Sequence, residues 1–146
     1  MQSWTFMDRD GWGEGPWASE PEDKITWEDS DTGLDCMMHR NPLGAWCGYV
    51  GVKKEHKYHR VDYMDIFSEL DVHGGLTYAE ECLGMGEDGS GVCHPANEGD
   101  HVWWLGFDCS HSFDAIPYLE SSYRGSAYRT KDFVMKEVKK LAKQLA

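Results

Sequence analysis

The sequence predicts an α+β fold: a single domain, mainly antiparallel sheet, with a short middle helix and a C-terminal amphipathic helix packed on it. Three observations carry this reading. In residues 102–109, Val102, Trp104, Gly106 and Asp108 alternate with Trp103, Leu105, Phe107 and Cys109, so both faces are apolar and the strand belongs inside a sheet. Residues 34–40 and 45–52 are rich in apolar and β-forming side chains, and the Asn41-Pro42-Leu43-Gly44 run between them has the turn chemistry of a hairpin. Phe133, Val134, Val138, Leu141, Ala142 and Leu145 form one stripe at helical spacing, with lysines elsewhere on the helix.

Length and composition bound the rest. A chain of 146 residues is long enough for one core and short for two, so it reads as an acidic, Trp-rich arm (1–31), a sheet core holding the candidate site (32–129) and a helix (130–146). An aromatic content of 13%, with seven Trp, excludes a disordered chain. No apolar run approaches a membrane span, and the first residues have no basic start or apolar core, so neither a spanning helix nor a secretory signal is expected. Five cysteines in no familiar spacing fit the cytoplasm, where thiols stay reduced, and are expected to be small core residues. The net charge of −12 argues against direct nucleic-acid binding, which needs cationic groups on phosphates. The expected partner is therefore a small polar ligand or a basic protein.

In chain order, residues 2–30 mix Trp4, Phe6, Trp12, Trp17 and Trp27 with acids, glycines and prolines. Short extended pieces joined by turns fit this better than a helix. Nine acids against Arg9 and Lys24 give residues 1–31 a net charge of −7, read either as a solvated face or as a surface for a basic partner. In the hairpin, Cys36 and Cys47 are expected near each other as thiols, and His39 at the surface. The polar stretch 53–60 holds His56 and His59, whose spacing is a weak metal signal without supporting ligands. Tyr63, Ile66, Phe67 and Leu70 then recur as in a short helix. Residues 73–80 read as a strand on which His73, Gly75 and Thr77 share a face, with a glycine bulge and His73 bonded to a backbone carbonyl as the equal alternative. The run from Gly84 to Gly91 lacks the lysine-ended frame of a phosphate-binding loop. Near it, Cys82, Cys93 and His94 are a weak zinc signal, and a cross-strand thiol pair is the plainer reading. After Tyr118, Tyr123 and Tyr128, Thr130 is placed to cap the last helix, with Asp132 in its first turn.

The candidate site lies at the end of the buried strand. Asp108, His111 and Asp114 recur at intervals of three, where the chain leaves the sheet and binding groups commonly gather. A histidine flanked by carboxylates serves acid–base chemistry or ligates a divalent metal. His73 is the natural fourth member, so His73, Asp108, His111 and Asp114 are the candidate catalytic residues and the candidate metal ligands. Thr77, Tyr78 and Trp104 are the candidate ligand-binding residues, with Trp46 or Trp103 as other stacking faces. Cys109 and Ser110 are nucleophile types without a signature around them. The structural alternative is that Asp108 ties down a turn and Asp114 caps the next segment.

These residues also carry a resemblance. Residues 33–52, the run Val72-His73-Gly74-Gly75-Leu76-Thr77-Tyr78, and Trp103-Trp104-Leu105-Gly106-Phe107-Asp108-Cys109-Ser110-His111 with Asp114 resemble a family of small uncharacterised proteins of tailed phages and prophages. The resemblance covers most of the chain from Gly33 onward. It implies a setting in the host cytoplasm and a role such as antagonism of host defence, and no mechanism. The paired His-x-Thr/Ser motifs of two-histidine phosphoesterases are not met, since His73 and Thr77 are four apart with no second copy. The expected function is a His/Asp pocket that binds, with or without hydrolysis, a small polar, nucleotide-like ligand. The alternative is a non-catalytic acidic inhibitor or DNA mimic occupying a basic surface of a host protein.

Overall fold

The computed structural model describes residues 1–82, 88–93, 102–119 and 126–146. Its sheet contains β1 (Gln2–Trp4), β2 (Lys24–Glu28), β3 (Asp35–Arg40), β4 (Trp46–Val52), β5 (Tyr78–Glu81) and β6 (Trp103–Asp108). All pairings are antiparallel, in the order β1-β2-β3-β4-β6-β5. The expected hairpin is β3–β4, and β6 is interior, between β4 and β5. A short helix α1 (Tyr63–Ile66), continued by a 3-10 turn over Phe67–Glu69, and a long helix α2 (Lys131–Leu145) complete the α+β domain. No helix among the described residues is long and apolar enough to cross a membrane.

The main core lies between α2 and one face of the sheet. Cys36, Met38, Trp46, Val50, Val52, Leu105 and Phe107 meet Val134, Val138, Leu141, Ala142 and Leu145, with Ile66, Leu70, Val72 and Leu76 closing one side. Thr130 Oγ1 accepts from Phe133 N–H at 3.2 Å and so caps α2 as the sequence predicts. Gly48 lets the helix approach: a Cβ there would lie 2.6 Å from Val138 Cγ2. On the opposite face a smaller cluster joins Met37, Cys47, Tyr49, Val102 and Trp104.

That alternation corrects two expectations. Cys36 pairs with Val50 and Cys47 with His39, so the two thiols lie on opposite faces of the hairpin, because the strand period of two separates them. His39 is part-buried and its ring accepts from Gly91 N–H at 3.1 Å.

Cys82 and Cys93 form a disulfide, which overturns the all-thiol expectation and removes both from any zinc site. The segment 88–93 is further pinned by Lys24, whose buried ammonium donates to the carbonyls of Gly89, Gly91 and Cys93 at 2.8–3.0 Å. His94, Tyr123 and the first half of the glycine run, residues 84–87, lie outside the described residues. His56 and His59 have structural partners, the carbonyls of Leu145 at 2.7 Å and Val52 at 3.2 Å.

Much of the acidic arm is interior rather than a face. Glu20, Asp23 and Asp29 are buried. Asp23 pairs with Arg9 at 2.7 Å and lies 3.6 Å from Arg40, whose guanidinium sits 4.1 Å from the centre of the Trp46 ring. Glu20 accepts from Trp46 Nε1 at 3.2 Å, from the Tyr128 hydroxyl and from the backbone N–H of Lys131 at 2.8 Å. The last contact sets a carboxylate on the N-terminus of α2, where the helix dipole favours it. Buried charges of this kind persist only when paired, so these acids hold the arm, the sheet and the helix together.

Candidate functional site

Residues 72–77 do not continue β5. Gly74 and Gly75 have φ of +70° and +86°, a left-handed turn that extended backbone cannot contain. The predicted strand 73–80 is therefore confined to Tyr78–Glu81, and the alternative of a glycine bulge with His73 on a backbone carbonyl is not met either, since the His73 ring bonds the Asp114 carboxylate. The turn carries His73 across to the end of β6. It is anchored there by Glu137 of α2, whose Oε1 accepts from His73 N–H at 2.8 Å.

The chain after β6 supplies the other half. Asp108 Oδ1 accepts from Ser110 N–H at 3.0 Å, and the next turn brings His111 and Asp114 under His73. A parallel bridge between Asp114 and Ala127 then carries Arg129 alongside. Asp114 is fully buried and is the hub. His73 Nε2 donates to its Oδ1 at 2.9 Å and lies 3.1 Å from Oδ2, while Arg129 Nε donates to Oδ1 at 2.8 Å. Oδ2 also accepts from His111 N–H at 3.0 Å and from His111 Nδ1 at 3.1 Å. An ionised carboxylate only accepts, so both imidazoles turn a proton-bearing nitrogen toward it. Burial alone would raise the Asp114 pKa, but the bonds from Arg129, His73 and His111 outweigh it and hold the carboxyl below its ordinary value.

Aromatic packing fixes the rings. His73 meets His111, Phe113 and Phe133 edge-on with centroids 5.2–5.6 Å apart, while His111 stacks on Phe113. Arg129 lies over Phe113 and Phe133 at 5.7 and 5.1 Å. Gly74 is required here, because a Cβ would fall 2.0 Å from His111 Cε1. The side chain of His73 is 8% exposed and that of His111 23%, so the cluster is reached from the His111 side.

Of the predicted residues, His73, His111 and Asp114 come together, with one ligand atom from each lying within 4.8 Å of the others. Asp108 flanks them, its Oδ1 3.8 Å from His111 Nδ1, and Thr77 Oγ1 donates to its other oxygen at 3.2 Å. Thus Thr77 holds Asp108 rather than sharing a strand face with His73. Tyr78 packs edge-on against Tyr49 at 5.2 Å, and Trp104 is wholly buried in the opposite-face cluster; neither reaches the site. Trp46 and Trp103 are committed as donors to Glu20 and to the Val61 carbonyl. Cys109 is buried, and burial pushes its thiol pKa far up, which removes the thiolate a nucleophile needs. Ser110 Oγ accepts from Asn41 Nδ2 at 2.8 Å.

Arg129, Glu137, Phe113 and Phe133 belong to the site although no motif marked them. Arg129 directly precedes the Thr130 cap, and that position at a helix entrance was the one local signal for it.

No family model, curated protein or solved structure matches the chain.

Proposed function

We propose that this protein binds a small polar, nucleotide-like ligand at the His73–Asp114–His111 cluster, with the imidazoles placed to move a proton on it. The observation that carries this reading is a single buried carboxylate shared by two imidazoles and a guanidinium. Such a group orients both rings and stabilises either one when it takes up a proton. His111, the more exposed ring, faces the ligand, and His73 stands behind it. The resemblance to small tailed-phage and prophage proteins supports a counter-defence setting, in which capture or hydrolysis of a nucleotide signal is a natural task.

The test is a titration of mononucleotides and cyclic or linear dinucleotides into 15N-labelled protein, repeated with His111→Ala and Asp108→Ala. Saturable shifts in residues 72–77 and 108–114 that vanish in folded His111→Ala support the reading. Absence of any saturable ligand response at this cluster removes it.

A second reading, an acidic inhibitor of a basic host protein, draws on the exposed Asp8, Asp10, Glu14, Glu28 and Asp31. It is weaker than the charge count implies, because Glu20, Asp23 and Asp29 are consumed internally. Reversing the charge of the exposed acids tests it, and such an interface weakens steeply with added salt.

A further inference from the structure

We propose that His73 Nε2, His111 Nδ1 and Asp114 Oδ2 form a binding site for one divalent first-row transition ion, with Asp108 completing it. The inference deepens the ligand-binding reading above and rests on the same cluster.

Two imidazoles and a carboxylate are the donor set that such ions favour. His73 Nε2 and His111 Nδ1 both face Asp114, and one ligand atom from each of the three residues lies within 4.8 Å of the others. Ligand bonds of about 2.0–2.2 Å would set the donor atoms roughly 3.4 Å apart. The Asp114 contacts of 2.9–3.1 Å to the two rings are close to that, and His111, the more exposed ring, is the one with room to adjust.

The hydrogen bonding points the same way. Asp114 takes four donors on its four lone-pair sites, Arg129 Nε and His73 Nε2 on Oδ1 and the N–H and Nδ1 of His111 on Oδ2, with His73 Nε2 also 3.1 Å from Oδ2, so both ring nitrogens are aimed at this one carboxylate. An ion replacing the two imidazole protons satisfies both rings and this carboxylate at once, and leaves the main-chain N–H its acceptor.

The surroundings are those of a supported metal site. Arg129 holds the other oxygen of Asp114, Thr77 holds Asp108 Oδ2, and Glu137 fixes the His73 backbone. Outer contacts of this type orient ligands before the ion arrives. Asp108, Asp114 and Glu137 against Arg129 and Lys140, which lies 3.6 Å from Glu137, give a local charge of −1, so a bound dication leaves +1. That balance selects an anionic ligand, such as a nucleotide phosphate, for the open coordination positions.

The experiment uses the full chain, stripped with chelator and titrated with Co2+ while visible d–d absorption is recorded, with native mass spectrometry for stoichiometry. One Co2+ per chain, displaced by Zn2+, is expected. His111→Gln should weaken it by about a hundredfold and Asp108→Asn by roughly tenfold, whereas His56→Gln leaves it unchanged. His111 is part-exposed, so its variant should keep the fold, and cooperative urea unfolding checks this. Failure to take up one ion, or uptake undiminished in His111→Gln, overturns the proposal. Nucleotide titrations of the chelator-treated protein and of the same protein supplied with Co2+ separate the two readings. Ligand bound without Co2+ uptake keeps the proposed function and rejects the metal site. Co2+ bound at His111 without any nucleotide response keeps the metal site and rejects the proposed ligand class.

Discussion

His73 and Asp114, 41 residues apart in the chain, meet through a 2.9 Å contact between Nε2 and Oδ1, and the same carboxylate carries His111 on its other oxygen at 3.1 Å. Three segments, the turn after Val72, the end of β6 and the entrance to α2, are therefore joined through one buried charge.

Asp114→Asn is expected to destabilise the fold by about 2–3 kcal/mol. The change removes a buried charge that Arg129 and two imidazoles face, and it presents an amide N–H₂ to nitrogens that need an acceptor; the figure sits below that for a fully buried pair because Arg129 is part-exposed. Urea unfolding at neutral pH measures this. A loss below about 0.5 kcal/mol would show that the cluster is not bonded as described.

Gly74→Ala and Gly75→Ala form a matched pair. Both positions have left-handed φ, so each substitution carries about 1–2 kcal/mol of backbone strain. Only at Gly74 does the new Cβ meet the His111 ring, while at Gly75 nothing lies within 4 Å. Gly74→Ala should shift the His111 ring resonances and abolish ligand or ion binding, and Gly75→Ala should retain both. Equal behaviour of the two variants would contradict the packing of His111 on the turn.

His39 should make stability fall on acidification. Burial, followed by the neighbouring Lys24, lowers its pKa from 6.5 to about 4. The unfolded chain therefore binds the proton more readily than the folded one between these values. Stability from this residue is complete above about pH 6.5 and is lost as pH falls toward 4. His39→Gln should flatten the unfolding free energy over that window, while ring NMR of the native protein should place the His39 midpoint well below 6.5. An ordinary midpoint would refute the assignment.

Thiol labelling should divide the five cysteines. Cys36, Cys47 and Cys109 are buried, and burial raises the first two to about 12 and the third further. Native, non-reduced protein should take up no alkylating reagent, reduction should expose Cys82 and Cys93, and denaturation with reduction should expose all five. Mass spectrometry counts the adducts. Rapid native labelling of Cys109 would reopen a nucleophilic role for it.

Local pattern in the sequence determined the β3–β4 hairpin, the two-sided burial of β6, the short α1 and the capped, amphipathic α2, because strand alternation, turn chemistry and helix caps are properties of neighbouring residues. It also marked His73, Asp108, His111 and Asp114 as chemistry-bearing groups. Only the tertiary structure decided that His73, His111 and Asp114 share one centre with Arg129, that Thr77 serves Asp108, and that Trp104 and Tyr78 face away. It alone turned Glu20, whose carboxylate lies 3.4 Å from the Arg40 guanidinium, and Asp23, paired with Arg9, into internal partners, and joined Cys82 to Cys93. These outcomes depend on register and on left-handed turns at Gly74 and Gly75. Each is set by long-range pairing, which selects the side of the sheet a side chain reaches, and no local window of residues contains that information.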